Sequence, residues 1–306
     1  MKFLVSAGLV AAMLVSAQPQ RPRITGVAHV ALSVHDIEKS RAYYRDLLGY
    51  EEVFSLTGAD ESLSMTFVKI NDRQYVELSP ETATGTDRLN HIAIEVDDAE
   101  AMRSYLASRN IRVPEKVGKG RIRNSNFNIK DPDGHTVEIV QYEPDGWTMR
   151  DKGKALGGPR ISTRMLHVGI LVGALEPALK FYRDVLGFEE IWRGSRNANR
   201  LDWVNLKVPD GTDYIEFMLY DELPGPAARG SQHHICLEVP DIKRALADLQ
   251  QRPATKSYTR PLEIRTGVKR KRQLNLFDPD GTRTELMEPG TVDGLPAPSS
   301  KAPPPH

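Results

Sequence analysis

The sequence predicts an α+β fold in which a strand–helix–strand–strand–strand unit is performed four times, two units in each half of a 306-residue chain. Three observations predict it. The first is a duplication. Residues 27–50, VAHVALSVHDIEKSRAYYRDLLGY, match residues 165–188, MLHVGILVGALEPALKFYRDVLGF. YVEL at 75–78 matches YIEF at 214–217, HIAIEV at 91–96 matches HICLEV at 234–239, and DPDGHTVEI at 131–139 matches DPDGTRTEL at 278–286. The second is a fainter repeat inside each half, where HVALSV at 29–34 and HIAIEV at 91–96 each precede a helical pattern. The third is periodicity: the short apolar runs alternate with period two before the pattern changes to that of an amphipathic helix.

The elements follow in order. Met1-Lys2 and the apolar run FLVSAGLVAAMLVSA precede Gln18-Pro19. Small residues at Val15-Ser16-Ala17 fit signal-peptidase cleavage after Ala17, so residues 1–17 are expected to be a signal peptide and the protein to be exported, periplasmic or extracellular. The run is short of the roughly 20 residues that span a bilayer, and no stable membrane insertion is expected after cleavage. The first domain is set at residues 24–143. Its opening strand places Val27, His29, Ala31 and Ser33 on one face and Val30, Leu32 and Val34 on the other. Asp36 caps a helix that Gly49 stops, with Ala42, Tyr43 and Leu47 on its packed stripe. In YVELS, HIAIEV and HTVEIV, alternation sets Glu77, His91 and Glu138 opposite the apolar residues. DPDG fits a type I turn leading into the last strand. Residues 144–161, rich in Gly, Pro and charge, read as a linker. The second domain, 162–289, repeats the plan with Pro177 in the first helical turn and Gly187 as the stop. Residues 290–306 contain few large apolar side chains and are expected to be disordered.

Basic and acidic residues balance at 41 each, which gives no bulk field for nucleic acid, and none is expected as a partner. Lys269-Arg270-Lys271-Arg272 is the local exception and reads as a solvated or anion-facing strand edge. Cys236 is the single cysteine, so no intrachain disulfide can form. It reads as a small apolar filler, because the first half has Ala93 in its place.

The chemistry lies in a doubled constellation: His29, Glu77, His91 and Glu138, then His167, Glu216, His234 and Glu285. Forty-eight positions lead from His29 to Glu77 and 47 from His91 to Glu138. Imidazole and carboxylate are the groups that hold a borderline divalent ion. Such an ion, Zn, Mn, Fe, Co or Ni, is the expected cofactor. His233 rivals His234, but the HICLEV register favours His234. His135 lies three residues before Glu138, and parity turns it away. Arg121, Arg123, Asn126 and Asn128, with Arg270, Arg272, Gln273 and Asn275 in the second half, are candidate contacts for an anionic or polyhydroxylated ligand, or else a solvated strand face.

These motifs together resemble two tandem copies of the vicinal oxygen chelate superfamily, which includes glyoxalase I, methylmalonyl-CoA epimerase, extradiol dioxygenases and bleomycin-resistance proteins. The resemblance implies that the βαβββ units pair into two cup-shaped mixed β-sheets with the metal in the cup, and that the eight residues above occupy its ligand positions. It leaves open whether a site forms within one domain or by exchange between domains or subunits, and whether one copy or both work. The implied activity is a divalent-metal-dependent isomerase, epimerase or lyase acting on a small oxygen-chelating substrate through a stabilised enolate. Glu138 and Glu77, or Glu285 and Glu216, are then the candidate bases. The alternatives are an extradiol-type Fe(II) dioxygenase of a catechol and a non-catalytic binder of the bleomycin-resistance type. A monomer or homodimer is expected.

Overall fold

The computed structural model describes residues 19–230 and 232–305. The expected signal peptide lies outside the described residues. The rest forms two curled, mixed sheets of eight strands each. The first sheet holds β1 (Ile24–Val34), β2 (Glu51–Thr57), β3 (Leu63–Lys69), β4 (Tyr75–Pro80), β5 (Leu89–Val96), β6 (Gly118–Lys119), β7 (Ser125–Lys130) and β8 (Thr136–Gln141). The second holds β9 (Met165–Val172), β10 (Glu189–Gly194), β11 (Trp203–Lys207), β12 (Tyr214–Leu219), β13 (His234–Glu238), β14 (Ile264–Thr266), β15 (Lys271–Phe277) and β16 (Arg283–Thr291). Five α-helices accompany them: α1 (Ile37–Ala42), α2 (Ala99–Ser108), α3 (Trp147–Arg150), α4 (Leu175–Leu179) and α5 (Ile242–Gln251). The strand orders, β2-β3-β4-β1-β5-β8-β7-β6 and β10-β11-β12-β9-β13-β16-β15-β14, are the same topology twice.

Each sheet puts its four candidate-bearing strands side by side at its centre. β1 pairs parallel with β4 and antiparallel with β5, and β5 pairs parallel with β8. Their outer faces carry Val30, Leu32, Val76, Leu78, Ile92, Ile94, Val137 and Ile139 into one apolar cluster that runs through both halves. The inner faces carry the polar candidates.

Alternation fails at a bulge inside β1. Val27 pairs with Ile94 and His29 with Ala93, so Ala28 is an extra residue in a β-bulge. Val27 therefore turns into the main core, not onto the His29 face as expected. Ala28 joins Ala93 and Val140 on the cup side. The second sheet repeats the bulge at Leu166, which joins Cys236, Tyr214 and Met287.

Asp36 caps α1 as expected, accepting from the Lys39 amide at 3.1 Å. Beyond Ala42 the helix widens into a π-helical stretch, Tyr43–Leu47, and α4 does the same over Lys180–Val185. The wider turn lets two consecutive aromatics, Tyr43-Tyr44 and Phe181-Tyr182, be buried together. Gly134 and Gly281 close the DPDG turns by donating to Asp131 and Asp278 at 3.1 and 3.0 Å.

Two segments outside the sheets are tied to them by hydrogen bonds. The 144–161 stretch contains α3 and is held by Lys69, fully buried, whose ammonium donates to the carbonyls of Asp151 and Lys154, both at 2.8 Å. Residues of the tail lie against the second sheet. Trp192 Nε1 donates to the Pro298 carbonyl at 2.7 Å, Ser300 N to Arg193 O at 2.9 Å and Leu201 N to Pro303 O at 2.7 Å. Backbone groups, which composition does not register, tie it to the second sheet.

Candidate functional site

The inner faces of the curled sheets bring each His–Glu–His–Glu set together within its own half. In the first cup His29 Nε2 lies 3.0 Å from His91 Nε2, 3.2 Å from Glu138 Oε2 and 3.4 Å from Glu77 Oε1. His91 Nε2 lies 2.9 Å from Glu138 and 3.8 Å from Glu77. Ligands bonded at about 2.1 Å to one ion are roughly 3.0–3.4 Å apart, so all of these pairs but the wider His91–Glu77 are spaced as neighbours around a single ion. His91 Nδ1 donates to Asn90 Oδ1 at 2.9 Å, the tautomer that leaves a lone pair on Nε2. Asn126 Nδ2 donates to Glu138 Oε1 at 2.6 Å and fixes that carboxylate. The donor set fits a divalent ion.

Electrostatics agree. Burial alone would lower the His29 pKa, but the carboxylates of Glu77 and Glu138 raise it to about 9. Burial pushes Glu138 up, yet the two imidazoles hold it well below the ordinary carboxylate range. Glu77 is raised by burial against their pull. This cup attracts positive charge. A cavity of about 290 Å³ opens above it, walled by Leu56, Met65, Phe67 and Val140, with Arg121, Asn126 and Asn128 as polar contacts. Arg123 points elsewhere, to Asp145 at 2.6 Å.

The second cup gathers the same residue types more loosely. His167 Nε2 lies 3.0 Å from His234 Nε2, 3.5 Å from Glu285 and 4.0 Å from Glu216. Its cavity is about 160 Å³. Of the two readings of the basic run, solvated or anion-facing, Lys269 takes the second: its ammonium enters the cup and meets Glu216 Oε2 at 2.6 Å. Burial, then the charges of Lys269 and Arg283, drive the His167 pKa well below its ordinary value. Burial and Arg283 do the same to His234. Burial would raise Glu216, but Lys269 holds it low, while Glu285 is raised by burial.

His233 and His135 lie away from the cups. His233 faces Asp87 at 3.6 Å and stacks edge-on with His135, which is bonded to Asp131 at 2.8 Å; neither reaches a cup. Cys236 is fully buried among Leu166, Tyr214 and Met287. Asn90 was not among the sequence candidates, although its place beside His91 was a signal. Tyr142, which lines the cavity, carried none.

Two curled eight-stranded sheets, each gathering two imidazoles and two carboxylates from its four central strands, define a tandem protein of the vicinal oxygen chelate fold. The model of the Glyoxalase/Bleomycin resistance protein/Dioxygenase superfamily matches residues 26–139 and 164–286, and the chain belongs to that superfamily. A probable lactoylglutathione lyase of Vibrio parahaemolyticus is 29% identical over 125 residues, covering 38% of this chain and 89% of the relative. The mitochondrial methylmalonyl-CoA epimerase of Bos taurus is 28% identical over 104 residues, 30% of this chain and 58% of the relative. Among solved structures, a Mn(II)-bound glyoxalase from Novosphingobium aromaticivorans superposes with a TM-score of 0.67 at 18% identity, covering 93% of this chain and 89% of that one. A 2,3-dioxygenase from Pseudomonas sp. KL28 gives 0.66 at 18% identity, covering 90% and 98%. At such identity the likeness concerns the fold.

Proposed function

We propose that the first cup is the catalytic centre of a divalent-metal-dependent isomerase, epimerase or lyase acting on a small substrate with two adjacent oxygens. The observation that carries this reading is the mutual approach of four ligand-type atoms in one buried, acidic cup that opens onto a cavity. His29, Glu77, His91 and Glu138 would hold the ion. When bound, it supplies Lewis-acid stabilisation of negative charge on a substrate oxygen.

The chain's own groups divide the remaining work. Glu138 is fixed by Asn126, whereas the contacts of Glu77 among the described residues are the imidazoles at 3.4 and 3.8 Å. Glu77 is thus the freer carboxylate, the one placed to take and return a proton. The apolar wall excludes water from the reacting carbon and receives the body of the substrate. Relatives called lyases and an epimerase support this chemistry.

Likeness over the whole chain to 2,3-dioxygenases favours a second reading, oxygen chemistry on a 2-His-1-carboxylate iron site. Glu77 weighs against it, because a fourth protein ligand takes a position that catechol or oxygen needs. Expected cleavage after Ala17 would place the reaction outside the cytoplasm, away from a glutathione pool; N-terminal sequencing of the exported protein tests that.

The test of the reaction class uses protein reconstituted in turn with Mn, Zn, Fe, Co or Ni. Deuterium from solvent should enter the carbon next to the carbonyl of hydroxyketone or thioester probes, and Glu77→Gln should slow it by 10²-fold or more, the order expected for losing a positioned base. Oxygen uptake with catechols and no exchange would favour the dioxygenase. Neither activity, with probe binding intact, would leave a binding protein.

A further inference from the structure

The two cups are built on one plan, and the position that differs most chemically faces the ions' place. Asn128 pairs with Glu138 as Asn275 pairs with Glu285, and the turns before them close alike, Arg123 donating to Gly120 and Arg270 to Gly267, both at 2.8 Å. In that register Lys269 stands where the first cup has Ile122, and Arg283 where it has Thr136.

Both substitutions bring a cation inside. The Lys269 ammonium is 2.6 Å from Glu216 Oε2 and 3.3 Å from the Tyr214 hydroxyl. Asn205, with its amide turned to suit, accepts from Lys269 at 2.6 Å and donates to Glu216 at 3.1 Å. The Trp192 and Tyr214 rings lie 4.7 and 5.1 Å from the same ammonium. Its donors are satisfied, and a carboxylate that would face an ion is spent on it.

Arg283 acts on the imidazole. Its Nη2 approaches His234 Nδ1 at 2.7 Å. A guanidinium only donates, so Nδ1 must accept and the ring proton moves to Nε2, the atom that faces the cup. The Gln232 carbonyl, 3.1 Å from Nδ1, is the weaker claim on that nitrogen. His91 has the opposite tautomer, set by Asn90. The second cup therefore presents an N–H where the first presents a lone pair.

The tail holds this arrangement shut. Arg270, next to Lys269, pairs with Asp293 at 3.0 Å and donates to Pro296 O at 3.2 Å, while Val292 N donates to Arg270 O at 2.8 Å. The turn that carries the lysine is fastened from outside.

We propose that Lys269 is a built-in replacement for the metal of the second cup, with Arg283 locking His234 in a non-ligating tautomer, so that the chain carries one ion and one working cup. The inference rests on reading the first cup as an ion site. Its test counts Mn(II) per chain and uses the first cup's own residues as replacements. The wild type should hold one ion and His91→Ala none. His91→Ala combined with Lys269→Ile and Arg283→Thr should regain one, lost again on His234→Ala, with a melting temperature that rises on adding Mn(II). Lys269→Gln, which keeps a donor for Glu216, serves the same comparison if the isoleucine variant does not fold. An ion retained by His91→Ala and removed by His234→Ala would overturn the proposal. So would a folded triple variant that stays empty. A wild type without any ion would sink the functional reading of the first cup, yet an ion gained by Lys269→Ile/Arg283→Thr would still support this one.

Discussion

Single side chains decide how the first cup would meet an ion. Asn90 holds His91 by its far nitrogen, so the imidazole is oriented before any ion arrives. Asn90→Ala frees the ring and restores both tautomers, and metal affinity should fall about 10–100-fold with little loss of stability. Competition titration with a chelating dye measures it; unchanged affinity would remove Asn90 from the site. A second residue, Asp278, governs a pH response. Burial and the neighbouring Asp280 charge raise its pKa from 3.8 to about 7, despite amide donors from Thr282 and Asp280. The folded state then binds a proton that the unfolded state has released. Its contribution to stability is full below about 3.8 and is lost as pH rises through about 7. Asp278→Asn keeps the acceptor for the Thr282 amide without the titrating proton. Between pH 5 and pH 8 the variant should lose less stability than the wild type in urea unfolding. Parallel losses in the two proteins would refute this assignment. Asp131, the matching residue, has His135 and the Tyr182 hydroxyl as partners, where the second turn has Thr282 and no imidazole.

Among the elements, the segment that joins the halves depends on two points. Lys69 ends β3 entirely buried and meets two carbonyls of the α3 segment and Asp72 at 2.8 Å. Lys69→Met leaves those carbonyls without their donor, at a cost of about 1–3 kcal/mol for each buried group left unsatisfied, while half-buried Asp72 keeps access to water. Thermal unfolding of the variant checks it; a shift of only a degree or two would mean that the segment rearranges freely. Gly49 ends the first helical unit with φ +79, and a Cβ there would lie 2.3 Å from the Pro159 carbonyl oxygen. Gly49→Ala should cost more than the roughly 1 kcal/mol of an ordinary positive-φ substitution, because backbone from the joining segment cannot step aside. Gly49 was legible as a helix stop. Its second task, admitting the joining segment, was not, since sequence does not say what will pack there.

At the scale of the whole molecule, the halves share structure as well as ancestry. One apolar cluster contains residues of both sheets. Gln74 trades hydrogen bonds with both backbone groups of Met165 at 2.9 Å, and Asp213 accepts from the Val27 amide at the first bulge at 3.1 Å. Tyr105 donates to Val185 O at 2.7 Å. Scanning calorimetry should therefore show one cooperative transition, not two. Separate transitions, or one that Mn(II) moves while leaving another fixed, would show the halves to be independent.

The repeats, the strand periods and the caps determined the sheets and helices, because local chemistry enforces a two-residue period and helix ends demand particular side chains. They also determined the eight candidate residues, since two copies of a pattern expose what matters in either. Only the tertiary structure decided that each quartet meets within its own half, because curling of a sheet is not encoded in any one strand. The bulges at Ala28 and Leu166 shift the alternation by one residue, a choice made by pairing partners across the sheet. Lys269 read as one charge in a basic run, and no local pattern distinguishes an outward lysine from one folded into a cup. That distinction rests on a turn, a tail and a carboxylate brought together from distant parts of the chain.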